Sequence, residues 1–253
     1  MRQAGNLRKI AAVAVGLILA GTARIAAAGD YPWLSVASAG QSIQERIPPP
    51  ACYVRVAAPA GSFSAWLRDL PLRSGRPPVR LYDGRPKPRQ DVHAAVVDLD
   101  VGRRDLQQCA DTIIRLRAEH LWAAGRKDEI SFLFTSGHPA AWRDWAAGRR
   151  PFVSGNRVEW RLAAAADSSY SNFHAYLERV FLYAGTISLS RELVPVVPGG
   201  AVEIGDVFIQ AGNPGHAVLV VDVAVDPAGG RRAFLLLQGF MPEQMSDADV
   251  EEL

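Results

Sequence analysis

The sequence predicts an α+β protein in which helices come first and pack on a C-terminal antiparallel sheet. Three observations carry this. The amphipathic helical segments fall in the first three quarters of the chain. Three strand-like segments then follow one another: GDVFIQAG (205–212), HAVLVVDVAV (216–225) and RRAFLLLQGF (231–240). The last two are separated by Asp226-Pro227-Ala228-Gly229-Gly230, a turn-rich loop of hairpin length. Helices followed by hairpin-linked strands argue against a doubly wound parallel sheet, which needs strands and helices in alternation.

Taken in order, the chain opens with Arg2, Arg8 and Lys9, then an apolar run of 11 residues from Ile10 to Ala20, then Ala26-Ala27-Ala28. A positive start, a short apolar run and small residues at the cut site describe a cleavable secretory signal over residues 1–28. The run is well short of the roughly 20 residues that span a bilayer, so no stable membrane span is expected after cleavage. An uncleaved anchor is the alternative. Residues 29–50 end in Pro48-Pro49-Pro50 and read as a flexible lead-in. A single α+β domain is expected over 51–253, with a periplasmic or extracellular location.

Within that domain CYVRVAA (52–58) alternates like a strand. SFSAWLRDLPL (62–72) spaces Phe63, Trp66, Leu67 and Leu70 as on a helix, which Pro71 ends. A short strand is expected at VRLY (79–82) and a longer one at HAAVVDLDVG (93–102). From Arg103 the pattern turns helical, with Leu106, Ala110, Ile113, Leu116 and Leu121 on the apolar face and Gly125 as the stop. ISFLFTSG (130–137) reads as a strand, Trp142 and Trp145 mark a short helix, and Phe173, Leu177, Val180 and Phe181 mark another.

Composition narrows the function. Of 28 basic residues, Arg2, Arg8, Lys9 and Arg24 lie in the expected signal, which leaves 24 against 26 acidic residues, a formal charge of −2. The slight basicity of the whole chain therefore belongs to the signal, and nucleic acid is not an expected partner. HExxH, CxxC, the phosphate-cradling GxxxxGK[ST] and GxSxG are all missing, and the five histidines lack metal-ligand spacing. No metal or cofactor is expected.

The remaining constellation is Cys109, His216 and Gln238. A thiol hydrolase needs a thiolate, an imidazole to activate it and protonate the leaving group, and a polar side chain to orient that imidazole. Here the three fall on a helix, at a strand start and near the end of the next strand. Each also has a plain structural reading. Cys109 lies beside the apolar stripe of a helix expected to start near Gly102, so it sits past the first turn and reads equally as a small packed hydrophobe or as a disulfide partner of Cys52. His216 reads equally as a strand cap and Gln238 as a half-buried amide. A polar group around the same helix, including Asp111, Arg115, Arg117 and Glu119, reads as a solvated face with pairs such as Asp111–Arg115. The alternative is a pocket lining in which His93 or Arg117 touches a substrate carboxylate. Trp142, Trp145 and Trp160 could stack on sugar rings or fill the core.

The order helix Cys, strand His, strand amide resembles papain-like and NlpC-type cell-wall peptidases, with Gly205-Asp206-Val207-Phe208 ahead of Gly215-His216-Ala217-Val218. That resemblance implies a papain-like α+β fold and hydrolysis of an amide bond in peptidoglycan or an envelope peptide. The alternative is a non-catalytic envelope binding module on the same fold. The chain also resembles the bacterial domain of unknown function 4846 through RLYDG (80–84), HAAVVDLDVGRRDLQQCADTIIRLRAEHLW (93–122), FTSG (134–137), SNFHAYLERVFLYAGTISLSREL (171–193), GDVFIQAGNPGHAVLVVDVA (205–224) and LLLQGFMPEQ (235–244). This second resemblance implies that Cys109, His216 and Gln238 fall on family positions and that Cys52 has no counterpart, which weakens the disulfide. It also implies a longer tail in relatives than the DADVEEL with which this sequence stops.

Overall fold

The computed structural model describes residues 31–34, 40–102, 104–239 and 247–252. The signal expected over 1–28 lies outside them. In chain order the elements are α1 (Ile43–Arg46), β1 (Val54–Arg55), α2 (Phe63–Arg68), β2 (Ala95–Val96), α3 (Cys109–Ala123), β3 (Ser131–Leu133), β4 (Pro139–Ala141) and α4 (Trp142–Ala146). They continue with β5 (Arg149–Ser154), β6 (Arg157–Leu162), α5 (Tyr170–Phe181), α6 (Thr186–Glu192), β7 (Val207–Gln210), β8 (His216–Val225), β9 (Arg232–Gln238) and β10 (Asp247–Glu252).

The expected α+β class holds, with antiparallel sheets and several helices. The main sheet runs β1-β8-β9-β10-β2, and β7 pairs with the first half of β8. Its spine is the ten-residue β8, which pairs antiparallel with β7 (Val207↔Leu219), β9 (Leu219↔Leu237) and β1 (Val54↔Val225). A bulge between Val220 and Asp222 shifts the register. Alternation along β8 and β9 sends Ala217, Leu219, Val221, Leu235 and Leu237 into the main core with α3, and Val218, Val220, Val223, Phe234 and Leu236 into a second cluster on the other face. The bulge places Asp222 where Arg55 and Arg68 reach it at 2.5 and 2.7 Å, a largely buried charge triad that ties β1 and α2 to the spine.

Several expectations are corrected. Of the strand expected over 93–102 only Ala95–Val96 is strand, and VRLY contributes only an isolated bridge, Arg80↔Pro86. Arg and Pro residues on either side leave few partners for a ladder there. Within the expected lead-in, Ile43–Arg46 is helical, and Tyr31 and Ile43 are buried in the main core. Two hairpins, β3/β4 and β5/β6, and α6 were not anticipated.

The largest correction concerns α3. It starts at Cys109, not near Gly102, because Asp111 turns its carboxylate back to accept the Gln108 N–H at 3.2 Å and so caps the helix there. Its end is as expected: Gly125, with φ +72°, lets Gly125 and Arg126 return N–H groups to Trp122 and Leu121. α3 is also buried nearly all round. Asp111, Arg115 and Glu119 are 5%, 3% and 0% exposed, so the solvated face read from their spacing does not exist. The tryptophans resolve to packing, since Trp142 and Trp145 are buried and Trp160 stacks on Phe134 at 6.4 Å.

Candidate functional site

Cys109 is the first residue of α3, where the helix dipole is positive. Its sulfur accepts N–H groups from Ala217 and Ala110, yet burial outweighs them and, together with the Asp111 carboxylate, raises the thiol above its ordinary pKa. A neutral thiol is the resting form. Both cysteines are free, Cys52 exposed and Cys109 buried, so the disulfide alternative has no geometry behind it.

The first turn of α3 also meets Gly239. A Cβ at that position would stand 2.5 Å from Thr112 Oγ1 and 3.0 Å from the Gln108 carbonyl oxygen, so only glycine admits the helix here. Ala217 follows His216 and Gly239 follows Gln238. The backbone thus gathers the Cys109, His216 and Gln238 segments at one corner of the sheet. The two-residue strand period, however, puts His216 on the face of Val218 and Val220, and Gln238 on that of Leu236, while Ala217 and Leu237 face the core that holds α3. The side chains of the small residues meet the helix; those of the two polar residues leave from the opposite face.

His93 and Arg117 lie elsewhere and do not meet. His93 is buried, with Nε2 3.2 Å from the Pro77 carbonyl oxygen and its own carbonyl held by Arg76. Arg117 stacks over the Phe63 ring at 5.2 Å, between α2 and α3, and burial lowers its pKa.

A second polar site opens on the other side of α3. A cavity of about 140 Å³ is bounded by residues 100–102 and 104–107, by Arg115 of α3 and by His174, Leu177, Glu178 and Phe181 of α5. Arg115 holds its guanidinium still by donating Nη1–H to Gln107 Oε1 at 2.7 Å and to the Asp100 carbonyl. Its Nε and Nη2 have no hydrogen-bond acceptor among the described residues. Glu119 Oε1 stands 3.6 Å from Arg115 Nε and 3.7 Å from His174 Nε2, and accepts the Tyr170 hydroxyl at 2.8 Å. Its Oε2 lacks a donor among the described residues. Burial raises Glu119 to about 7 despite Arg115 and Tyr170. Burial, then Arg115, lowers His174 to about 4. The arrangement holds a buried cation beside a carboxyl that is half protonated near neutrality, the kind of perturbed pair that marks functional sites.

The favoured sequence reading put Arg115 and Glu119 on a solvated face, the alternative made their cluster a pocket lining but gave the ligand to His93 or Arg117, and neither included Tyr170 or His174. The available signal was the ladder Asp111, Arg115, Glu119 at four-residue spacing along a helix whose other positions are mostly apolar. Among the described residues no group of three or more His, Cys, Asp or Glu could hold a metal ion, and no helix is long and apolar enough to cross a membrane.

The family model for the domain of unknown function 4846 matches residues 43–248. The chain belongs to that family. The match spans α3, α5 and the spine of the sheet, so both polar sites lie inside the family domain. No curated protein matches the chain, and no solved structure does.

Proposed function

We propose that the chain is an exported ligand-binding module of the cell envelope, and that its ligand, from peptidoglycan or an envelope peptide, enters the cavity between α3, α5 and residues 100–102 and 104–107. One observation carries the reading: Arg115 is 3% exposed, and two of its donors face no hydrogen-bond acceptor among the described residues. A buried guanidinium with unused donors is costly, and a site that completes them on binding recovers that cost. The export signal read over residues 1–28 supports the location. Calorimetric titration with purified muropeptides tests it, on wild type and Arg115→Met. Saturable binding that the substitution weakens at least about tenfold is expected; affinity unchanged by the substitution would sink the cavity as the site.

A second reading has its own observation. Cys109 opens α3 and touches Ala217, next to His216, while Gly239, next to Gln238, meets the same helical turn. This backbone proximity favours a papain-like thiol hydrolase acting on an amide bond, with Cys109 as nucleophile, His216 as base and Gln238 as orienter, in which the two polar side chains have to turn round the sheet edge to reach Cys109. Under it, iodoacetamide alkylates Cys109 faster than Cys52 in folded protein, and His216→Ala slows that alkylation near pH 6 by raising the thiol pKa. Under the binding reading Cys52, the exposed thiol, reacts first and His216→Ala changes nothing.

A further inference from the structure

We infer that the cavity recognises a free carboxylate through the Nε–Nη2 edge of Arg115, and that Glu119 is the internal competitor that the incoming carboxylate displaces. This rests on the binding reading above and names its ligand class.

The geometry of the guanidinium selects the group. Nη1 is committed to Gln107 Oε1 and the Asp100 carbonyl, which fixes the plane. The remaining Nε and Nη2 lie along one edge, the fork whose spacing matches the two oxygens of a carboxylate. Glu119 is the nearest carboxyl, but at 3.6 Å from Nε it stops short of a hydrogen bond, and its Oε1 is turned to the Tyr170 hydroxyl. It compensates Arg115 through space without filling the fork.

Charge decides between anions. The groups facing Arg115 are Glu119 on its own helix, Tyr170 and His174 on α5, and Asp100 on the loop; Arg104 and Glu178 pair with each other at 3.0 Å beside the cavity. With Arg104 and Glu178 offsetting each other, Arg115 is the remaining cation among the described lining residues, with His174 kept neutral by burial and by Arg115. A monoanion that is planar at its charged end matches this inventory. A phosphate dianion would bring a second negative charge to a site where, once Arg104 and Glu178 offset each other, Arg115 alone faces Asp100 and Glu119. About 140 Å³ holds a carboxylate and a short side chain, so the rest of a larger ligand stays outside.

Competition gives the proposal a signature. Glu119 titrates near neutrality because burial opposes its charge. When it is neutral, Arg115 is available to the ligand. When it ionises, it faces the ligand carboxylate across the same guanidinium, and like charges at that range repel. Binding then takes up a proton above neutral pH, and affinity falls as pH rises.

The test is calorimetric titration of the purified protein with acetate and acetyl-alanyl-alanine, against acetamide and the C-terminal amide of the dipeptide, at pH 6 and 8.5. The free acids are expected to bind, the amides at least about tenfold more weakly, and acid affinity to fall by about tenfold or more between the two pH values. Glu119→Gln, which keeps the shape and the acceptor for Tyr170, should bind the acids equally at both pH values and outbind wild type at pH 8.5. Because it retains the packing, it tests the proposal even if Arg115→Met fails to fold. Acids and amides binding alike, or inorganic phosphate displacing the acids at equal concentration, would overturn the carboxylate while leaving a binding module. A Glu119→Gln profile with the wild-type pH slope would overturn the competitor. No binding of acids or amides, with muropeptides also silent, removes the binding reading itself; muropeptide binding with the acids silent removes only this inference.

Discussion

Replacing Glu119 by Gln should stabilise the protein at pH 8 by roughly 3 kcal/mol and leave it unchanged near pH 4.5. Glu119 is 0% exposed, and burial lifts its carboxyl from 4.5 to about 7. The folded state therefore holds a proton that the unfolded chain has released throughout this interval. A group raised in this way contributes stability that is present below pH 4.5 and is lost as pH climbs through 7, with no further change beyond. Each unit is worth about 1.36 kcal/mol, so the interval of about 2.5 units corresponds to roughly 3 kcal/mol. Gln removes the charge while its amide oxygen still accepts the Tyr170 hydroxyl. His120 and His174, both lowered to about 4 chiefly by burial, give stability that rises with pH between about 4 and 6.5. Both remain in the variant, so the part of their contribution due to burial cancels in the difference, and only the coupling of His174 to Glu119, 3.7 Å apart, does not. Urea titrations of wild type and Glu119→Gln at half-unit steps from pH 4.5 to 8.5, with equal m-values, measure that difference directly. Curves that stay parallel would refute the burial argument. A wild type that is the more stable at pH 8 would mean that Glu119 ionises into a true ion pair with Arg115 and itself fills the guanidinium edge.

Gly239→Ala should cost about 1–3 kcal/mol, since its Cβ would meet Thr112 Oγ1 at 2.5 Å, and Thr112→Ala in the same chain should recover part of the loss; thermal melts of the two single variants and the double variant check this. Asp222→Ala should cost about 3–5 kcal/mol by stranding Arg55 and Arg68, and chemical denaturation reads it; a loss below about 1 kcal/mol would mean that water already serves both guanidinium groups. If the export signal is cut after Ala28, intact-mass measurement of protein recovered from the envelope should find Gly29 as the first residue, and a full-length species held in the inner membrane would restore the anchor.

The strands were the legible part of this sequence. GDVFIQAG, HAVLVVDVAV and RRAFLLLQGF each became a strand because the two-residue period, the near-continuous apolar run of a spine covered on both faces, and a turn-rich loop all pointed one way. The second hairpin, Arg149–Ser154 with Arg157–Leu162, was hidden because half of its residues are polar or charged and only Gly155-Asn156 marks its turn. The strand expected over 93–102 failed for the converse reason: its apolar pattern is real, but burial without a long partner yields two ladder residues and an isolated bridge from Val97 to Leu72.

The site was misread through α3, and both errors have one cause. Periodicity finds the apolar face of a helix but says nothing about what covers the other face. Leu106 fits the stripe, so the pattern was carried back past Cys109, although the Asp111 cap at Gln108 decides the boundary. The charges at 111, 115 and 119 then looked like a face turned to water. In the fold that face is covered by residues 100–102 and 104–107, and by α5, which brings Tyr170 and His174 onto it. A charged ladder on a surface helix needs no explanation, but the same ladder under a second helix must be neutralised, hydrogen-bonded or left for a ligand. Asp111 caps the helix, Glu119 takes the Tyr170 hydroxyl and sits near its titration point, and Arg115 keeps one edge unused. That edge is closed to solvent and backed by Glu119, so the proposed ligand has to displace Glu119 to reach it.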